Sequence, residues 1–98
     1  MRMILNNNAS NPIHPPISMG ELHPGEVATI IGFCVDSDLQ DSQQDFLQRL
    51  FEVGFLVGEK IEVLHEAPLS HDPISIQVKD AVYAIRRKEA NLIQVRRS

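Results

Sequence analysis

The stretch that decides the fold is "RLFEVGFLVGEKIEVL", Arg49 to Leu64. It follows Phe46 and Leu47, and with Leu50 and Phe51 these apolar residues repeat at i, i+1, i+4 and i+5. That spacing lays one stripe along an α-helix. Asp41 or Ser42 supplies a side-chain oxygen to cap the first turn, and Asp45 adds negative charge near the positive end of the helix dipole. The pattern predicts a helix over 42–53. Gly54 falls just past it, where a left-handed residue costs least as glycine. Phe55 and Leu56 return into the core, and Gly58 turns the chain into "KIEVLHE", where Ile61 and Val63 begin a strand.

Working outward, Pro24-Gly25 is a turn dipeptide. The β-branched run that follows, with Val27, Thr29, Ile30 and Ile31, predicts a strand over about 26–34. Cys34 sits in the apolar run "IIGFCV" and reads as a small buried hydrophobe. "VDSDLQDSQQD" is a polar, acidic loop. Downstream, Ile74, Ile76 and Val78 alternate behind Pro73, a position where a missing N–H is tolerated. Lys79-Asp80 turns the chain into "AVYAIRR", with either Val82 and Ala84 or Tyr83 and Ile85 facing inward. A helical turn at "KEA" leads to a last strand, "NLIQVR". Five short strands with one inserted helix describe a mainly β, SH3-like barrel, whose closure would bring the first and last strands together. Residues 1–17, with asparagines and the prolines of "NPIHPP", read as a flexible leader, and 18–98 as the barrel domain.

Composition limits the chemistry. Hydrophobic residues make up 43% and charged residues 22% of 98 residues, which suits one globular domain. With Phe33, Phe46, Phe51, Phe55 and Tyr83 as the only aromatics, the core must be aliphatic. The same scarcity argues against an aromatic groove for proline motifs and against stacking platforms for single-stranded nucleic acid. One cysteine excludes a disulfide within the chain and fits a reducing compartment. No secretory signal is visible, and no apolar stretch approaches the roughly 18 residues of a membrane span, so direct membrane insertion is not expected. The net charge of −4 is uneven: residues 1–49 carry two basic and six acidic side chains, the remainder seven of each. A basic C-terminal edge beside an acidic loop suits a protein partner of mixed charge rather than nucleic acid, which needs a dominant positive field.

Catalytic constellations are missing. Neither glycine-rich phosphate motif occurs. "DSDLQDSQQDFL" fails as a calcium loop, with Asp41 where the turn needs glycine and Leu47 where the bidentate glutamate belongs. No enzyme is expected and no cofactor. His65, His71 and Asp72, beside Glu66, are the candidates for a weakly held transition-metal ion, although their spacing matches no strong metal signature.

Four segments, "ELHPGEVATIIGF", "RLFEVGFLVGEKIEVL", "APLSHDPISIQV" and "AIRRKEANLIQV", resemble the FeoA family, and a similar pattern belongs to the C-terminal SH3-like domain of DtxR-type iron regulators. Arg49, Leu50, Glu52, Val53, Gly54, Phe55 and Gly58 match the family's central motif. The chain departs in its longer leader, and in Asp80, which stands where a glycine is common; aspartate tolerates left-handed backbone. The resemblance implies a non-enzymatic cytoplasmic accessory of bacterial ferrous iron uptake. It would bind the cytoplasmic part of the FeoB transporter and be recruited by it to the inner face of the membrane. The inserted helix, with its charged flanks, and its exit turn are the expected docking surface. Gln48, Arg49 and Glu52 would make polar contacts, Leu50 or Phe51 would be the apolar anchor, Phe55 would join them, and Gly54 and Gly58 would be structural turns. The alternatives are a regulatory domain of the DtxR C-terminal type, or a weak transition-metal binder. The oligomeric state is left open.

Overall fold

A computed structural model of the chain describes residues 15–34 and 41–98. The leader up to residue 14 and the acidic loop at 35–40 lie outside the described residues. Strand β1 (Ile17–Ser18) leads through a 3-10 turn (Met19–Glu21) to β2 (Val27–Phe33) and then the helix α1 (Asp41–Val53). After it come β3 (Lys60–Glu66), β4 (Ile74–Val78), β5 (Ala81–Ile85), the one-turn helix α2 (Arg87–Ala90) and β6 (Ile93–Arg97).

The strands form one antiparallel sheet in the order β1-β6-β2-β3-β4-β5. Its middle is the expected pairing of the first long strand with the last, Ile30 opposite Val95. Among the described residues the sheet curls like a barrel but does not close, because β1 and β5 are its edges. A sixth strand joins the five expected: Ile17 and Ser18 pair with Val95 and Gln94. Among the described residues, the sheet thus takes in the last residue of the expected leader.

Alternation builds the core, since successive strand side chains point to opposite faces. Ala28 and Ile30, Ile61 and Val63, Ile74, Ile76 and Val78, and Ile93 and Val95 are all buried. In β5 the inward pair is Tyr83 and Ile85, with Val82 and Ala84 outside. Each full burial of such an aliphatic side chain contributes about 1.5–3 kcal/mol. The core is aliphatic around one large ring, Phe55, which meets Tyr83 edge-on at 5.6 Å between centroids.

Two local expectations change. Cys34 is exposed rather than buried. Strand β2 shifts register between Ile30 and Gly32 and ends at Phe33. Cys34 donates its backbone N–H to the Leu92 carbonyl at 2.7 Å but leaves its side chain outside the core. In the β4–β5 hairpin the left-handed residue is Lys79 (φ 54°), not Asp80. Its ammonium reaches Glu59 at 3.0 Å, tying the hairpin to the turn before β3.

Candidate protein-docking surface

Helix α1 lies on the sheet through the stripe read from the sequence. Leu47 and Leu50 are buried, Phe46 and Phe51 half-buried. Phe51 meets Phe33 edge-on at 4.7 Å between centroids, which fastens the helix to the end of β2. The helix stops as expected. Gly54 takes φ 111°, where a β-carbon would be strained and would crowd the Lys79 side chain. Its N–H donates to the Phe51 carbonyl, and the next N–H, of Phe55, returns to Leu50. The exit turn is then pinned to the sheet, because Gly58 N–H donates to Ile30 and Ile30 N–H donates to Glu59. The two glycines thus turn a helix end into a continuation of the sheet within a few residues.

The expected docking residues separate into two groups. Gln48, Arg49 and Glu52 are exposed on the outer face of α1, and Gln48 reaches Glu52 only at the long distance of 3.5 Å. Leu50 and Phe55 are core residues, Leu50 6% exposed and Phe55 fully buried, so neither side chain can anchor a partner. The reason is geometric. Leu50 lies on the buried stripe with Leu47, and Phe55 follows the left-handed turn that sends the chain back inward. The exposed apolar residues at this end are Val53, Leu56 and Val57. They surround the exit turn, a feature that the helical stripe alone does not reveal.

Beside them runs an open groove between α1 and the edge strand β5. Phe46, Arg49, Leu50 and Val53 line one wall, Tyr83, Ala84 and Ile85 the other. Arg49 is its one charged member. Among the described residues the Arg49 guanidinium makes no hydrogen bond or ion pair.

A second cluster is organised around Arg87. Its guanidinium donates to the carbonyls of Gly20 and Leu22, both at 2.8 Å, to the His71 carbonyl at 2.8 Å, and to Glu66 at 2.7 Å. Its backbone N–H donates to the Asp72 carboxylate at 2.9 Å. Glu66 uses its second oxygen on His71 Nδ1 at 2.5 Å, and this hydrogen bond, with Arg87 alongside, holds the Glu66 carboxyl below the usual carboxylate range. Gly20 must stay glycine here, because a β-carbon would collide with the Asn91 side chain and the Arg87 carbonyl. Nearby, Arg97 donates to Glu26 at 2.6 Å and draws that carboxyl down as well.

This clamp also decides the fate of the expected metal ligands. His71 is engaged with Glu66, Asp72 accepts from Arg87, and His65 stands exposed on β3. Among the described residues no three His, Cys, Asp or Glu side chains form a group that could hold a metal ion. The candidate set His65, His71 and Asp72 therefore does not assemble, since a guanidinium stands where a cation would have to sit.

A family model described as "FeoA domain" matches residues 17–97. A relative in Porphyromonas gingivalis, an Fe(2+) transport protein A/Fe(2+) transporter FeoB fusion protein, is 32% identical over 77 residues. That match covers 79% of this chain, and the chain spans only 8% of the relative's length. Among solved structures, the zinc-complexed FeoA of Stenotrophomonas maltophilia, described as a prokaryotic SH3 domain protein, superposes with a TM-score of 0.66 at 26% identity. That superposition covers 81% of this chain and 88% of the other. A manganese-dependent transcriptional repressor bound to manganese gives a TM-score of 0.69 at 18% identity, over 89% of this chain and 39% of its own, a likeness of fold alone.

Proposed function

The chain belongs to the FeoA family, and from that premise we propose that it is a non-enzymatic accessory of bacterial ferrous iron uptake that docks on the cytoplasmic part of a FeoB-type transporter. The observation that carries this reading is the fusion relative, in which the equivalent domain and a FeoB transporter share one polypeptide. A tether raises the effective concentration of one domain at another, and it is useful where the two work in contact.

The α1 end is the surface we assign to docking. It offers what interfaces favour: an arginine with no partner among the described residues, exposed apolar side chains at Val53, Leu56 and Val57, and a groove to receive an anchor. Gln48, Arg49 and Glu52 supply polar contacts around it. No helix among the described residues is long and apolar enough to cross a membrane. The chain would thus work on the cytoplasmic side and reach the inner face of the membrane through its partner. The repressor's likeness is one of fold, and function follows the site rather than the fold.

Co-purification of the full chain with the transporter's cytoplasmic domain tests the reading. The wild-type pair should associate, and Arg49→Glu should weaken it about tenfold, roughly 1.4 kcal/mol, with the melting temperature unchanged. No association of the wild-type pair overturns the proposal. Association untouched by Arg49→Glu moves the docking face away from α1.

A further inference from the structure

Among the described residues strand β5 pairs only with β4. Among the described residues, no backbone bond joins residues 81–85 to any other segment. Along its outer side, alternate N–H and C=O groups are therefore open, the arrangement that accepts an added strand. Most edges are blunted by charge or proline, but "AVYAI" has neither, and Val82 is 53% exposed. The groove between this edge and α1 adds an apolar floor from Leu50 and Ile85 and a rim from Val53. Its one charged lining group is the Arg49 guanidinium, and Arg86 follows directly after the strand, exposed and likewise without a partner among the described residues. No acidic side chain lines the groove.

We infer that the β5 edge receives an extended segment of the partner as an additional strand. Its apolar side chains would alternate into the groove, and at least one carboxylate would face Arg49. The inference rests on the docking reading above and names what that surface recognises. Main-chain bonding to the edge would supply affinity without sequence demands. Side chains entering the groove and a carboxylate on Arg49 would supply specificity. A basic segment would meet two unpaired guanidinium groups and be disfavoured, which is how charge selects between strands of similar shape.

Ala84 provides the test, because it is exposed, lines the groove and carries little of the fold. Amide hydrogen exchange is measured on the full chain, alone and bound to the transporter's cytoplasmic domain, together with the affinities of Ala84→Glu and Ala84→Lys. Binding should slow the amides of residues 81–85 that exchange fast in the free chain. Ala84→Glu should weaken the complex at least tenfold and Ala84→Lys less than threefold. A complex that forms without slowing those amides overturns the inference and leaves the docking reading standing. Equal weakening by both variants also overturns it, since bulk rather than charge would then decide. Protection of the same amides in a concentration-dependent dimer without the transporter domain assigns the edge to a second copy and overturns it too. If the wild-type pair does not associate, the docking reading falls and the inference with it.

Discussion

Two arginines of the same small domain meet opposite fates. Arg87 spends four of its five guanidinium donors on the protein: three backbone carbonyls and one carboxylate hold it, and its side chain is only 20% exposed. Arg49 is exposed on a helix face with no partner among the described residues. The neighbourhoods match. Around Arg87 the chain is folded tightly, with a glycine where no β-carbon fits. Around Arg49 it leaves a groove, an open strand edge and three exposed apolar side chains. A planar fork with five donors can knit distant segments together or wait for an outside acceptor. One cluster of this domain is built for stability, and another surface is left unfinished.

That contrast breaks first at Arg87. Arg87→Met keeps much of the apolar stem but removes four hydrogen bonds from a charged donor. Each such bond contributes about 1.5–3 kcal/mol when fully enclosed, and water can replace part of it at a site that remains partly open. The expected loss is about 3 kcal/mol, or roughly 15 °C in melting temperature for a domain of this size, read by thermal denaturation. A loss under about 0.5 kcal/mol, the range of ordinary surface changes, would make the clamp ornamental and remove the contrast.

Acid should loosen the same cluster. The carboxyls of Glu66 and Glu26 are both held below their usual range, Glu66 by its bond to His71 and then Arg87, Glu26 by Arg97 and the His23 backbone. A depressed carboxylate contributes stability that is complete above its unfolded pKa and is lost as pH falls through the folded value. The melting temperature should therefore stay level down to about pH 5 and decline below about pH 4, under the ordinary glutamate value near 4.3. Glu66→Gln should lower the neutral plateau and flatten the acid decline. Melting curves across that interval decide it, and an unchanged acid limb in the variant would detach Glu66 from the effect.

How much of this was legible follows from where the partners lie. The helix, its stop at Gly54 and the strands at Ile61, Ile74 and Ile93 are written in local periodicity, so neighbours in sequence suffice to read them. The outward placement of Gln48, Arg49 and Glu52 follows from the same period. The clamp could not be read, because the carbonyls that hold Arg87 belong to residues 16, 65 and 67 positions away and carry no side-chain signature. Leu50 and Phe55 fall in the core rather than on the docking face, because an apolar side chain near a helix end reads the same whether the sheet or a partner covers it. Cys34 was misread because an apolar run gives no hint of where a strand runs out. The groove needed β5 to be set beside α1, and that juxtaposition is a property of the whole topology.

The smallest effect is expected where the two regimes meet. Leu69 lies at the tip of the turn between β3 and β4, close in sequence to His71 of the clamp, yet it is 97% exposed and takes φ 71°. A leucine in left-handed backbone costs about 1 kcal/mol over a residue that tolerates it, and full exposure returns nothing through burial. Leu69→Asn should therefore leave the fold intact and raise stability by about 0.5 kcal/mol, measured by denaturant titration. Loss of stability would mean that Leu69 packs in solution and belongs to the clamp. If the variant is at least as stable but co-purifies less well with the transporter's cytoplasmic domain, the stable cluster also presents an apolar contact, and the docking surface extends from α1 round to the β3–β4 turn. An unchanged association confines docking to the unfinished surface, as the contrast between the two arginines requires.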